Sequence, residues 1–250
     1  MTTNIFDGHA RVMATDSRWS IEYGCWLIYL DDTGYEKIER RNGFALMFAG
    51  AGGVIQAHKN WIRSAPSNFS NMPGTKGMSV CMVEEKSGEV VFQKHQDIEA
   101  DNVFCAGTGA RPAYNCWSTN KCSKKAVESA KAKDNYSGGD VKYIDFAASK
   151  TNLVDYNASA LLDIATVSAN IWKRGIAMKI HSTPTVSPEL PFVKAQSLEE
   201  EEKEVRSQIG QLVANGTLTA TAPCDGMHSD WSNEDNAKYK QAMARMFGWK

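Results

Sequence analysis

Residues 134–146 read DNYSGGDVKYIDF, an acid, then a serine and two glycines running without a break into the strand-like VKYIDF. Asp134 alone could cap a helix end or start a turn, and Ser-Gly-Gly is common turn chemistry. The purpose of this turn has to be read from the rest of the chain.

Working upstream, SKKAVESAKAK reads as a short helix with Ser123 as its N-cap, and VFCAGTGA as a strand that runs into glycine. MSVCMVEE and EVVFQK flank a turn at Ser87-Gly88. FALMFAG is a buried strand, entered from YEKIERR through the tight Asn42-Gly43 turn and ended by Gly50, Gly52 and Gly53. In VIQAHKNWIR, the residues Val54, Ile55, His58, Trp61 and Ile62 fall on one helical face. At the head of the chain, residues 3–6 and 10–15 predict a hairpin around Asp7-Gly8. Hairpins interrupted by helices imply two antiparallel sheets covered by helices, not an alternating β-α-β pattern.

Downstream the character changes. LLDIATVSANIWKR predicts a helix and IAMKIHS a strand, followed by a loop carrying Pro184, Pro188 and Pro191. SLEEEEKEVRSQIGQLVANG has a capping box at Ser197 and Glu200, acids in its first turn and a stop at Gly216. Val205, Ile209, Leu212 and Val213 line one face of that helix. SNEDNAKYKQAMARMF is a further helix capped at Ser232. The expected division is a core over residues 1–150, with residues 151–250 adding its last elements and a helical extension without an assigned role.

The chain has 250 residues, 42% hydrophobic and 23% charged, enough for a sizeable core in one large domain. A formal net charge of -1 gives no field for nucleic acid or an anionic membrane surface, so neither is an expected partner. No apolar run is long enough to span a bilayer, and the first residues lack a secretory layout; the cytoplasm is the expected compartment. The six cysteines show no zinc spacing and are expected to be reduced thiols. The five histidines share no ligand spacing either, so no metal and no cofactor is expected. The lysines of residues 121–133 read as a helix face.

Taken in order, several short stretches resemble the β-subunit family of proteasomes, including the bacterial peptidase HslV, which are N-terminal-nucleophile hydrolases. These are Thr2-Thr3 with a hairpin into ATDSR, EKI around Lys37, FAGAGG around Gly50, AGTGA around Thr108, and DNYSGG with Asp134 and Ser137. The resemblance spans Thr2 to about Phe146. It implies an α+β fold, a four-layer αββα sandwich, and a threonine peptidase acting on peptide or unfolded-protein substrates. It further implies a homo-oligomeric ring and a separate ATPase as a further partner, since the chain shows no ATPase domain of its own.

Chemistry gives each position a reason. A threonine hydroxyl needs a base beside it, and a free α-amine, with its ordinary pKa of about 7.7–8.0, can serve near neutral pH. Only a first residue carries that amine, so Thr2 becomes the nucleophile once Met1 is removed; Thr3 is the rival if trimming falls one residue later. By the resemblance, Lys37 lies beside the Thr2 hydroxyl, Asp16 holds Lys37, Asp134 and Ser137 orient the amine, and Gly50 N–H faces the oxyanion. Thr108 stands where the family has serine. Three departures stand out. The hairpin between Thr2 and Asp16 is slightly short for the family, consistent with a tight Asp7-Gly8 turn. Pro112 follows AGTGA and fits only the first turn of a helix, and about a hundred residues follow VKYIDF. Two other functions fit the same residues: an amidohydrolase acting on a small amide, and a silent assembly protein that retains Met1.

Overall fold

The computed structural model describes residues 2–154, 162–180 and 198–249. Met1, the proline-bearing loop and Ser197 of the expected capping box lie outside the described residues. The chain opens with β1 (Asn4–Asp7) and β2 (Val12–Asp16). Next come β3 (Trp19–Tyr23), β4 (Trp26–Leu30), β5 (Ile38–Arg41), β6 (Phe44–Ala51) and helix α1 (Gly52–Arg63). Strands β7 (Met78–Glu84), β8 (Val90–Lys94), β9 (Ile98–Ala100) and β10 (Val103–Ala106) lead into α2 (Ala110–Asn120) and α3 (Ser123–Lys131). Strands β11 (Val141–Asp145) and β12 (Lys150–Thr151) follow, then α4 (Ile164–Arg174) and β13 (Ile176–Lys179). The chain closes with α5 (Leu198–Ala214), β14 (Thr221–Ala222) and α6 (Asn233–Phe247).

These elements make a mixed α/β protein with two antiparallel sheets. One runs β12-β11-β2-β1-β10-β9, and the other β13-β4-β3-β14-β6-β7-β8, with β5 beside β14 on one edge of β6. Alternation along the strands divides the core. On β1 and β2, Phe6 and Met13 join Ile38, Ala45, Met47, Cys81, Val83 and Ile144 in a cluster built from both sheets. Their neighbours Ile5 and Ala14 point the other way, onto Ala113 and Trp117 of α2 and Val127 and Ala130 of α3. A third cluster joins Ile21, Ile28 and Phe48 of the second sheet to Ile55 of α1, Ile171 of α4, Ile209 of α5 and Met243 of α6. Strands β13 and β14 and the helices after residue 163 therefore share a core with α1.

Several local expectations need correcting. The first hairpin does not turn at Asp7-Gly8. Asp7 pairs with Val12, and residues 8–11 make the connection, with Arg11 in the left-handed region at φ 55. The Asp7 carboxylate accepts from the His9 and Ala10 amides at 2.9 and 3.0 Å, which a two-residue turn would not allow. Ser123 is not a cap: Cys122 holds the N-cap position, and the buried Ser123 hydroxyl has no partner among the described residues. YEKIERR is strand only from Ile38 onward. Residues 19–30, to which the sequence reading assigned nothing, form the β3–β4 hairpin about Gly24. Pro112 does sit in the first turn of α2, where its missing N–H leaves no helical bond unmade.

Candidate active site

Register builds the site. Asn4 pairs with Thr15 across the first hairpin, so the two residues ahead of β1 lie against Asp16. Asp16 N donates to the Thr3 carbonyl at 3.2 Å, and Thr3 N donates to Asp16 Oδ1 at 2.8 Å. The Thr2 hydroxyl donates to the same carboxylate oxygen. On the other side of β2, Val141 pairs with Asp16, which brings Gly138 N to Asp16 Oδ2 at 3.1 Å. Arg18 N donates to that oxygen as well, at 3.2 Å. Asp16 is fully buried, and both of its oxygens are occupied by donors from four parts of the chain, the fourth being Lys37.

Lys37 arrives from the segment just ahead of β5, on the side of the other sheet. Its Nζ donates to Thr2 Oγ1 at 2.5 Å and to Asp16 Oδ1 at 2.8 Å. Thr2 and Asp16 are 0% exposed and Lys37 1%, so the ion pair is fully desolvated. Burial pushes the Lys37 ammonium below its usual pKa, against the opposing pull of Asp16. A pair of this kind is destabilising to break, because either partner alone would be an uncompensated buried charge.

The two glycine motifs close on the start of the chain. Asn4 pairs with Ala106, which sets Gly107 against Thr2. Gly107 has φ +94, and a Cβ there would stand 1.9 Å from the Thr2 carbonyl oxygen, so no side chain fits. Gly109 N donates to that same carbonyl at 3.3 Å. Thr108 Oγ1 donates to Asp134 Oδ2 at 2.8 Å, and Ser137 Oγ donates to it at 2.7 Å. Ser137 Oγ also lies 2.7 Å from Thr3 Oγ1. With Met1 attached the Thr2 nitrogen is an amide, and the polar side chain these residues meet is that of Thr3. Gly50 stands apart from this set. It is the penultimate residue of β6, at φ +125, where a Cβ would lie 2.2 Å from the Gly77 carbonyl oxygen. Asn4 links the two regions: its Nδ2 donates at 2.9 Å to the carbonyl of Phe48, two residues before Gly50.

Other contributors escaped the sequence reading. Arg18 grips Asp31 with two bonds at 2.7 and 2.9 Å, donates to the Asn135 carbonyl at 2.6 Å and stacks 3.6 Å over Tyr29. It thereby holds the Asp134–Gly138 turn to the end of β4. The signal would have been the Tyr29–Asp31 strand end, on the hairpin left unread. Among the described residues, no group of His, Cys, Asp or Glu is arranged to hold a metal. No described helix is long and apolar enough to cross a membrane.

No family model matches this chain, and no curated protein matches it. Solved structures do. Thiobacillus denitrificans BPH in complex with epoxomicin is 13% identical over 58% of this chain and 97% of its own, with a TM-score of 0.42. Thiobacillus denitrificans BPH alone gives 13% identity over 58% of this chain and 96% of its own, with a TM-score of 0.35. Eukaryotic HslV from Trypanosoma brucei is 15% identical over 50% of this chain and 96% of its own, with a TM-score of 0.29. Likenesses this distant carry no weight in the functional assignment, which rests on the meeting of Thr2, Asp16 and Lys37 across the two sheets.

Proposed function

We propose that this chain is a proteasome-like threonine peptidase of the N-terminal-nucleophile type, with Thr2 exposed by removal of Met1. One observation carries the reading: a hydroxyl at the chain's second residue lies between a buried lysine and a buried aspartate. Water has been removed from all three groups, which is expensive unless the arrangement has a use. The three hydrophobic clusters support a four-layer αββα arrangement, with the site at one end of the paired sheets.

In the proposed reaction, the freed α-amine of Thr2 takes the proton from its own hydroxyl while the Lys37 ammonium stabilises the emerging alkoxide. The oxygen attacks a substrate carbonyl, and the charge on the carbonyl oxygen is met by Gly50 N–H, a kind of contact whose loss costs other acyl-transfer enzymes about 2.7–4 kcal/mol. The amine then gives its proton to the departing amine, leaving an ester on Thr2. Water, deprotonated by the same α-amine, attacks the ester; the Thr2 oxygen departs and takes that proton back from the α-ammonium, which restores the hydroxyl and the free amine and releases the acid. Asp134, Ser137 and Thr108 form a hydrogen-bonded wall that meets the Thr3 hydroxyl, and in the proposed reaction that wall orients the new terminus. Geometry favours Thr2 over Thr3, whose hydroxyl is engaged by Ser137 instead of Lys37. A homo-oligomeric cytoplasmic ring, fed with unfolded chains by a separate ATPase, completes the proposal.

Intact-mass spectrometry and a peptide epoxyketone test it together. The ketone and adjacent epoxide can be joined by a hydroxyl and an amine on one residue, so stoichiometric adduct formation at Thr2 requires both groups. The expected result is loss of one methionine and one adduct per chain. A retained Met1 with no adduct points to the silent assembly protein, and an adduct with turnover only of small acyl-amines points to the amidohydrolase.

A further inference from the structure

Lys37 is presented by a segment outside any strand: residues 35–37 precede β5, so no regular ladder fixes them. Their backbone anchors are specific. Trp19 Nε1 donates to the Tyr35 carbonyl at 2.8 Å, and Phe48 N to the Lys37 carbonyl at 2.9 Å. Between these two, the Glu36 carbonyl accepts from Lys59 Nζ at 2.6 Å. Lys59 is a second fully buried lysine, on α1, with no place in the chemistry above. Its ammonium also lies 3.6 Å from Glu39 Oε2 and 4.3 Å from the centre of the Tyr35 ring. Arg63, one turn further along α1, grips Glu39 at 2.9 and 2.7 Å. Two cations of one helix therefore bracket the residues on either side of Lys37.

This is a costly way to fill a core position. Position 59 lies one turn beyond Ile55 and three residues before Ile62, both fully buried, so the helix period asks for an apolar side chain there. Burial depresses the Lys59 pKa to about 8, which is the mark of an incompletely compensated charge. A methionine would fill the same space without that cost. What it could not do is donate to the Glu36 carbonyl.

We infer that Lys59 is a positioning residue: it clamps the Glu36 carbonyl so that the next residue, Lys37, keeps its ammonium on the Thr2 oxygen. The kinetic side of this inference rests on the peptidase reading; the geometric side does not. Lys59→Met and Lys59→Gln separate a clamp from a mere core contact. The probe is the blocked peptide-aminomethylcoumarin that the wild-type protein cleaves fastest, with kcat expressed per site titrated by the epoxyketone. A displacement of Lys37 by about an ångström in Lys59→Met is expected to lower kcat by about 10²-fold, with KM changed less than about twofold. Lys59→Gln, which keeps a donor one bond shorter, is expected to lose about tenfold. His58→Gln, on the same helix but hydrogen-bonded toward Gly74 and Tyr239, is expected to lose stability and leave kcat per site unchanged.

Crystal structures of the same variants supply a readout without activity. The Lys37–Thr2 contact is expected to open in Lys59→Met. Should that contact persist, or should both Lys59 variants keep wild-type kcat per site, the clamp is overturned while the peptidase stands. An inactive wild-type protein would remove the peptidase reading and leave the crystallographic comparison to decide the clamp. If Lys59→Met does not fold, Lys59→Gln decides both readouts.

Discussion

The surroundings of Thr2 and the patch beneath α6 are equally dry and built from opposite materials. Around Thr2, the buried groups are an aspartate, a lysine, threonine and serine hydroxyls and backbone amides, each with a short polar contact. Beneath α6, Phe92, Trp231 and Tyr239 pack with ring centres 5.1–5.4 Å apart, beside Met243, and the polar contacts are the Trp231 indole to the Met78 carbonyl at 3.0 Å and the Tyr239 hydroxyl to His58 at 3.5 Å. Apolar burial stabilises in proportion to area and tolerates adjustment. A saturated polar cluster contributes little net stability and fixes atoms in place. Substitutions in the first region should therefore be read in turnover, and those in the second in melting.

The sharpest break between the two is Thr2→Ala. Alanine still permits methionine removal and leaves the Lys37–Asp16 pair intact, so peptide turnover is expected to fall by about 10⁴-fold or more with folding unchanged. Calorimetry beside a fluorogenic assay measures both; residual activity near wild type would remove Thr2 as the nucleophile. Lys37→Met blurs the contrast. It should lower turnover by about 10³-fold and also cost about 3–5 kcal/mol, since Asp16 is left charged and unpaired in the core. Met243→Ala sits at the opposite pole: denaturant titration should show a loss of about 2–5 kcal/mol, with kcat per titrated site unaltered.

A pH series sharpens the contrast further. His58 touches α6 through Tyr239, and burial pushes its pKa down to about 4 from an unfolded value of 6.5. The unfolded chain therefore binds the proton first, so His58's contribution is complete above pH 6.5 and is lost as pH falls toward 4. The loss amounts to about 3 kcal/mol at most. His58→Gln should flatten that part of the stability profile; an unchanged slope would mean that His58 is hydrated in the folded protein. The smallest effect belongs to Ser123→Ala. A helix cap would lose about 0.5–2 kcal/mol, whereas a buried hydroxyl without a partner should gain up to about 1 kcal/mol on removal.

What the amino-acid sequence disclosed follows the same division. The meeting of Thr2 with Asp16, and of Thr108 and Ser137 with Asp134, was legible because tight turns and close backbone approach restrict which residues fit, and those restrictions leave short motifs in fixed order. Lys37 was legible only through that order; by composition, EKIERR is a solvated stretch. Lys59 was not, since a lysine on an amphipathic helix ordinarily faces water and nothing local announces its contact with the Glu36 carbonyl. Arg18 and Asp31 meet across a hairpin whose strands, the alternating WSIEY and the continuously apolar WLIYL, the reading passed over. β14 is two residues long and owes its strand conformation to β3 and β6 on either side.

That last strand has a consequence for how the protein comes into being. Thr221–Ala222 is the slat between β3 and β6, and Ala222 is the partner of Gly50. Every residue of the polar cluster around Thr2 precedes that slat in the chain, so until the slat emerges the sheet beside Gly50 has a gap with open edges. Translation must pass Ala222 before the sheet beside Gly50 can close, so a product terminated ahead of β14 would carry Thr2, Asp16 and Lys37 and still have an open edge there.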